Sequence, residues 1–262
     1  MGPLSFLLLG TLAISVNSNL VESSVLRPDL GIYGGQDASI YDYPHQVAIE
    51  YILSLHICGG SIISPEYIVT AAHCAPKIKF LQKVRAGTSQ RGKGGSTHKI
   101  SKVIVHEEFG RMGAFVVNDI ALIKVTPAFQ FDEVRQPIEL FKANEESLAG
   151  AQSNVTGWGS TPSSSMFGPK TLQVVSVPIV GKEECAKDYQ QFGVLPEGFI
   201  CAGGHGKNVC NGDSGGPLKL DGRLAGIVSQ GETDCAGPNP AIYTEVAAYR
   251  DWIDSHLETS LE

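Results

Sequence analysis

Short runs of apolar and β-branched residues, separated by turns rich in glycine, proline and serine, recur between residues 32 and 246. Runs of this length bounded by turn residues are typical of β-strands. Because many of them follow one another without helical patterns between them, they favour an all-β barrel or sandwich over a parallel α/β sheet. The predicted strands are 46–50, 59–63, 67–70, 102–105, 120–125, 172–177, 217–220, 224–228 and 241–246.

Two parts of the chain depart from this pattern. Between residues 129 and 151 the alternation loosens, as expected for a link between two β-units. Residues 247–257 carry apolar side chains at helical spacing, which predicts a helix at the end of the chain. These side chains are Ala248, Trp252, Ile253 and Leu257.

The N-terminus has the features of a secretory signal. The apolar run 4–14 is shorter than the roughly 20 residues that span a bilayer. Small residues follow it at Ser15 and Ser18, as a cleavage site requires. We therefore expect a signal peptide over 1–18, a short propeptide over 19–31, and a secreted, extracellular protein without a membrane anchor.

The composition is that of a globular protein: 42% of the 262 residues are hydrophobic and 18% are charged. The net charge of -7 is scattered, and no basic face is present that would displace counterions, so nucleic acid is not expected as a partner. Six cysteines indicate an oxidising compartment but allow fifteen pairings. None has CxxC or CxxH zinc spacing, so we expect no metal and no cofactor.

The glycine-rich run 211–217 contains the first candidate for chemistry, Ser214. Glycines around a serine allow turns that expose its hydroxyl and leave N–H groups free for a ligand, as an attacking serine with an oxyanion hole requires. Two alternatives fit the run equally well. One is a glycine-rich hairpin with an incidental serine, and the other is the nucleophile elbow of α/β-hydrolases.

His73 and Asp119 are the candidate partners of Ser214. His73 follows an apolar strand-like run and precedes Cys74, whereas Asp119 opens the apolar run 120–125. An aspartate entering so apolar a run is expected to be buried, which is costly unless a group such as a histidine N–H donates to it. The order His, Asp, Ser along the chain differs from the Ser, acid, His order of α/β-hydrolases and counts against the elbow.

Six motifs resemble those of the trypsin/chymotrypsin family of serine proteases, in the family's order and across nearly all of the chain from Ile32. The motifs are Ile32-Tyr33-Gly34-Gly35, Cys58-Gly59-Gly60-Ser61, Thr70-Ala71-Ala72-His73-Cys74, Asn118-Asp119-Ile120-Ala121-Leu122, Thr156-Gly157-Trp158-Gly159 and Gly212-Asp213-Ser214-Gly215-Gly216-Pro217. The resemblance implies a protease domain over 32–262, built from two six-stranded antiparallel β-barrels with a C-terminal α-helix. The first barrel would span about 32–140, the second about 141–246 and the helix about 247–257.

The resemblance also implies the chemistry. Ser214 would attack a peptide carbonyl, His73 would transfer the proton, and Asp119 would orient the imidazole, with Ser229 donating a hydrogen bond to Asp119. The N–H groups of Gly212 and Ser214 would form the oxyanion hole. The family's three disulfides would join Cys58 to Cys74, Cys185 to Cys201 and Cys210 to Cys235, which uses all six cysteines.

Activation would follow a cut before Ile32, whose new amine would pair with Asp213. Here the sequence departs from the family, because Gly31 stands where Arg or Lys is usual. Either an activator of other specificity makes the cut, or a first cut after Arg27 is followed by trimming. We expect as partners protein or peptide substrates, an activating protease and protein inhibitors, acting on a monomer.

The pocket residues implied by the resemblance are Asn208, Val209, Ser229, Gly231 and Ala241. Asn208 occupies the floor, where trypsin-like members have an aspartate, so we expect chymotrypsin-like cleavage after Phe, Tyr, Leu or Met. An elastase-like protease and a catalytically silent homologue that acts as a binding or regulatory protein remain alternatives. Gln230 replaces the family's tryptophan before Gly231, which makes the neighbouring subsite less apolar.

Overall fold

The computed structural model describes residues 2, 32–75, 81–160, 167–231 and 235–258. Apart from Gly2, the expected signal peptide (1–18) and propeptide (19–31) lie outside the described residues. The strands are β1 Gln36–Asp37, β2 Gln46–Tyr51, β3 His56–Ile62, β4 Tyr67–Thr70, β5 Gln82–Ala86, β6 Ser96–Val105, β7 Gly110–Met112, β8 Phe115–Val117, β9 Ala121–Thr126, β10 Gln152–Gly157, β11 Gln173–Val180, β12 Phe199–Ala202, β13 Pro217–Leu220, β14 Arg223–Gln230 and β15 Ala241–Glu245. The helices are α1 Lys182–Asp188 and α2 Arg250–Glu258.

The strands form two closed antiparallel barrels, which confirms the predicted fold. The first has the strand order β2-β3-β4-β9-β6-β5, and the second has the order β11-β10-β13-β14-β15-β12, closed by pairing of β11 with β12. Alternate positions of β-branched and leucine side chains point inward, and the buried side chains of the two barrels belong to one contiguous apolar core. Fully buried examples are Ile49, Ile62, Ile68 and Leu122 in the first barrel, and Val177, Leu218, Leu224 and Ile227 in the second.

The predicted elements do not include strands β1, β5, β7, β8, β10 and β12 or helix α1. Arg85 of β5 is buried, and its Nε donates over 2.8 Å to the fully buried carboxylate of Glu50 on β2. The neighbouring Ile49 and Val84 point into the apolar core, so this ion pair lies on the outer face of the barrel. On that face Arg85 also donates to the carbonyl of Gly94. The charged residue on that face hides the apolar pattern of β5. Helix α1 is only seven residues long, too short for a helical period to stand out between β11 and β12.

The terminal helix begins later than its apolar pattern suggested. Val246–Ala248 forms a 3₁₀ turn, and α2 starts at Arg250. Its Ile253 is fully buried in the main apolar core. Within the described part of the chain, no helix is long and apolar enough to cross a membrane.

The structure contains the three disulfides that the family resemblance implies. Cys58–Cys74 joins β3 to the turn after β4, Cys185–Cys201 joins α1 to β12, and Cys210–Cys235 joins two loops that border the second barrel. Each closes a segment with a sequence separation of 16 or 25 residues. Loop-closure entropy gives about 3 kcal/mol of stability for loops of that size.

Candidate active site

The side chain of Asp119 is the centre of a buried hydrogen-bond cluster. Its Oδ1 accepts from the backbone N–H of His73 over 2.9 Å, and its Oδ2 lies 2.7 Å from His73 Nδ1 and 2.6 Å from Ser229 Oγ. The backbone carbonyl of Asp119 accepts from Thr244 Oγ1. Because the carboxylate is fully buried and needs donors, the imidazole proton is assigned to Nδ1.

His73 is hydrogen-bonded to Asp119 on one side and exposed to solvent on the other. It lies in the 3₁₀ turn Ala72–Cys74 that follows β4, and the disulfide from Cys74 anchors that turn to β3. The imidazole is 33% exposed. With Nδ1 donating to Asp119, the Nε2 atom carries a lone pair that can accept a proton from a neighbouring group.

Ser214 lies on a glycine-rich turn that packs against the first barrel. Its carbonyl accepts from the N–H of Gly59 on β3 over 2.8 Å. Gly215, with a φ of 77°, lies so close to Thr70 Oγ1 that any Cβ there would overlap it. Thr70 ends β4, three residues before His73, so this contact brings the serine turn of the second barrel to the histidine turn of the first.

The N–H groups of Gly212 and Ser214 have no hydrogen-bond acceptor among residues 32–75, 81–160, 167–231 and 235–258. The N–H groups of the residues that follow each of them do have acceptors. The N–H of Asp213 donates to the carbonyl of Cys210, and the N–H of Gly215 donates to the carbonyl of Val228. Gly212 has a φ of 99°, a conformation that residues with a Cβ rarely adopt. The turn therefore presents two unpaired donors on either side of Asp213.

His56 supports this turn, and sequence reasoning missed it. Its Nε2 lies 2.9 Å from the carbonyl oxygen of Gly212, and its ring packs edge-on against Trp158. Burial of the ring lowers the pKa of His56 to about 4, so the histidine is neutral at physiological pH and donates from Nε2. The only signal in the sequence was a histidine two positions before Cys58.

Asp213 is enclosed between the serine turn and the loop after β10. Its carboxylate accepts from the N–H groups of Gly159 over 2.8 Å and Cys210 over 2.9 Å. A Cβ at Gly157 or Gly159 would overlap the carboxylate oxygens, which explains the two glycines around Trp158. Burial raises the pKa of Asp213 to about 7 in spite of the two donors.

The residues predicted for activation and for the pocket floor are close together in the fold. Ile32 is fully buried in the main core. Its neighbour Tyr33 exchanges two backbone hydrogen bonds with Asn208, of 2.8 and 3.1 Å. The segment that follows Ile32 is therefore paired with the segment that leads through Cys210 to Asp213.

The predicted pocket residues converge on one place. A Cβ at Gly231 would lie 3.7 Å from the Cβ of Ala241 and 3.9 Å from Cγ2 of Val209. Asn208 is buried, and its amide is used locally: Nδ2 donates to the carbonyl of Asn239 and Oδ1 accepts from the N–H of Val209. Gly231, Ala241 and Val209 therefore lie together, with the neutral side chain of Asn208 next to Val209, while Ser229 donates to Asp119.

One group of side chains in the described residues has metal-ligand spacing: Cys58, His73 and Cys74. Both sulfurs are joined in the disulfide. Neither cysteine can therefore act as a thiolate ligand.

Comparisons with known proteins agree on one family. The model of the family described as Trypsin matches residues 32–253. Trypsin delta of Drosophila melanogaster is 38% identical over 95% of this chain and 98% of its own length, and hypodermin-B of Hypoderma lineatum is 40% identical over 87% and 88%. Among solved structures, mouse neuropsin, a serine protease, covers 86% of this chain with 30% identity and a TM-score of 0.77.

Proposed function

Since the chain belongs to the trypsin family of serine proteases, we propose that it is a secreted endopeptidase, made as an inactive precursor, that cleaves peptide bonds after large apolar or aromatic residues. The observation that carries the proposal is the 2.7 Å contact between His73 Nδ1 and the buried carboxylate of Asp119. This contact leaves Nε2 available as a base, and the Ser214 turn packs against Thr70, three residues before His73.

In the proposed reaction, the hydroxyl of Ser214 attacks the carbonyl carbon of the peptide bond. His73 takes the hydroxyl proton on Nε2 and gives it to the leaving amine as the C–N bond breaks, which leaves the acyl group as an ester on Ser214. A water molecule, deprotonated by His73 in the same way, then hydrolyses this ester and restores the Ser214 hydroxyl. Asp119 keeps the imidazole in the required tautomer and stabilises the cation that forms. Ser229 and the N–H of His73 hold the carboxylate in place.

The N–H groups of Gly212 and Ser214 stabilise the negative charge that develops on the carbonyl oxygen. Each such donor contributes about 3 kcal/mol to transition-state stabilisation. The support for this assignment is that both groups lack an acceptor within the described residues.

The substrate preference follows from the pocket. Cleavage after Lys or Arg, as the names of the trypsin relatives suggest, needs a negative charge at the pocket floor, whereas Asn208 is neutral and already hydrogen-bonded. Val209, Gly231 and Ala241 offer apolar contacts. We expect Phe, Tyr, Leu or Met peptide anilides to be cleaved with a kcat/KM at least about tenfold above that of the Arg anilide. A preference for Arg would refute this part.

Activation requires a cation for Asp213. A fully buried carboxylate without a charged partner is disfavoured by about 3–5 kcal/mol. A cut before Ile32, which is itself fully buried, would create an amine that can serve as the partner of Asp213. Gly31 at the cut requires an activator that does not need a basic residue, or trimming after an initial cut at Arg27. N-terminal sequencing of the active form should give Ile32 as the first residue, and any other start would refute this route.

The triad assignment is tested by Asp119→Asn in the activated protein. The amide cannot accept from His73, Ser229 and the backbone at once and favours the wrong imidazole tautomer, so kcat should fall about 10⁴-fold. Asp251→Asn, in the first turn of α2, is the matched control and should keep full activity. Equal activity of the two variants would contradict the proposed function.

A further inference from the structure

Strand β10 of the second barrel carries an acceptor sequence for a modification that the proposed reaction does not use. Asn154, Val155 and Thr156 form an Asn-x-Thr sequence in this strand. It is the only Asn-x-Ser or Asn-x-Thr sequence in the chain. Such a sequence is the acceptor for N-linked glycosylation when its middle residue is not proline. The three disulfides indicate an oxidising compartment of the kind in which this modification takes place.

The side chain of Asn154 points away from the apolar core. Its neighbours Ser153 and Val155 are 1% and 0% exposed, whereas Asn154 is partly exposed. Because successive side chains of a strand point to opposite faces, Asn154 lies on the outer face of the barrel. Among the described residues its amide has no hydrogen-bond partner, and neither of its two polar atoms is buried. A sugar on Nδ2 would therefore break no contact of the described structure.

The surface around Asn154 is polar and accessible. Ser176 on β11 and Lys219 on β13 lie directly opposite Asn154 in the sheet, so the three side chains share one face. Ser176 is exposed and Lys219 is half-buried. The exposed Gln152 and Pro178, which pair with each other one step along the same face, extend this surface. None of these residues belongs to the proposed triad, oxyanion hole or pocket.

Thr156 determines when the modification can occur. Its side chain is 1% exposed, and its Oγ1 donates to Oε1 of Gln46 on β2 of the first barrel. A transferase that recognises the acceptor sequence cannot reach this hydroxyl in the folded protein. The sugar must therefore be added while the segment is still unfolded, before Thr156 is enclosed between the two barrels. Because Asn154 faces outward, the modified chain can still fold.

We propose that Asn154 carries an N-linked oligosaccharide, which is added to the unfolded chain and covers the outer face of the second barrel at β10, β11 and β13. The donor is an oligosaccharide linked to a lipid pyrophosphate. A bond forms between Nδ2 of Asn154 and the first carbon of the sugar as the bond from that carbon to the pyrophosphate oxygen breaks. The amide loses one proton to a base of the transferase, and the lipid pyrophosphate leaves. A bulky, hydrophilic group at this position keeps the outer face of the barrel hydrated.

The inference rests on the proposed secretion, because only a chain that enters the secretory pathway meets the transferase. The test is to secrete the full chain from cultured animal cells and to treat it with peptide N-glycosidase. We expect the treatment to remove the mass of one oligosaccharide, and peptide mapping after release in heavy-oxygen water to place the label at Asn154. Asn154→Gln should show no mass loss. Thr156→Ser, which keeps the acceptor sequence, is the matched control and should still lose the oligosaccharide.

A second measurement checks that the site lies outside the catalytic machinery. Treated and untreated samples of the activated protein should hydrolyse a single-residue ester with the same kcat/KM. A secreted parent protein without an oligosaccharide, or a mass loss that persists in Asn154→Gln, would overturn the inference. If the chain is not secreted, the proposed secretion is refuted. The same treatment of a chain in which a proven signal peptide replaces residues 1–18 then decides by itself whether Asn154 is glycosylated.

Discussion

The Nε2 atom of His56 lies 2.9 Å from the carbonyl oxygen of Gly212, so a histidine of the first barrel holds the turn of the second barrel on which Ser214 lies. The Nδ1 atom of the same ring is buried and has no hydrogen-bond partner among the described residues. The neutral ring therefore makes its one hydrogen bond to the turn whose N–H groups are assigned to the oxyanion. This contact joins the two barrels at the point where the proposed chemistry occurs.

Replacing His56 should impair catalysis without removing any reacting group. His56→Leu deletes the hydrogen bond to Gly212 and leaves its carbonyl unpaired, so we expect kcat of the activated protein to fall about tenfold. KM for a single-residue ester should change little, because the pocket is untouched. The control is His205→Asn at an exposed position with a φ of 52°, which asparagine tolerates. An unchanged kcat in His56→Leu would contradict this role.

His45 should make the protein sensitive to mild acid. Burial, with a smaller contribution from Lys219, lowers the pKa of His45 to about 3 from the usual 6.5, so the unfolded chain binds a proton that the folded chain does not. The stability from this group is complete above pH 6.5 and is lost as the pH falls towards 3, by roughly 1.4 kcal/mol per pH unit.

Unfolding by urea at pH 6.5, 5.5 and 4.5 measures this effect by comparing the parent protein with His45→Gln. Other titrating groups, Asp213 included, contribute equally to both proteins. The parent should lose more stability than the variant over this range. Parallel curves would contradict the shifted pKa.

In the uncut chain, the stability contribution of Asp213 changes with pH in the opposite direction to that of His45. Its folded pKa of about 7 lies above the usual 3.8, so the neutral form is favoured, and its stability contribution is present at low pH and lost as the pH rises through 7. An amine at Ile32 would stabilise the charged form. The cut chain should therefore gain stability relative to the uncut chain between pH 4.5 and 7.5 in urea unfolding. A difference that does not vary with pH would show that the amine does not reach Asp213.

Gly159→Ala should disturb the same region sterically. A Cβ at this position overlaps the Asp213 carboxylate, which is fixed by two backbone donors, so we expect a loss of about 2–3 kcal/mol in stability and a strong loss of activity. Gly110→Ala is the matched control, since its Cβ would meet only one atom, at 3.9 Å. The free energy of unfolding from thermal unfolding, and the rate of hydrolysis of a single-residue ester, distinguish Gly159→Ala from Gly110→Ala. Similar values for both variants would contradict the overlap.

The parts predicted from sequence are those that local pattern determines. Nine of the twelve barrel strands follow from β-branched runs between turns. His73, Asp119 and Ser214 each stand beside such a run in a recognisable motif. The hairpin of β7 and β8 is different, because the contact of Gln230 with Val116 joins residues 114 positions apart. No sequence pattern around Gln230 or Val116 predicts that the two residues are in contact. The sequence predicted only that Gln230, in place of the family's tryptophan, makes the neighbouring subsite less apolar.

The same limit explains β5. Its Arg85 is stabilised by Glu50, 35 positions away, and only the closed barrel brings them together. Contacts of this kind depend on the complete fold, whereas propensity and periodicity describe single segments.

The most direct test of the account is the covalent labelling of the activated protein by a fluorophosphonate, with the adduct located by peptide mass mapping. We predict a single adduct, on Ser214, with fluoride as the leaving group, and its loss in His73→Ala. An adduct on another serine, or equal labelling of Ser214 with and without His73, would contradict the claim that these two residues act together.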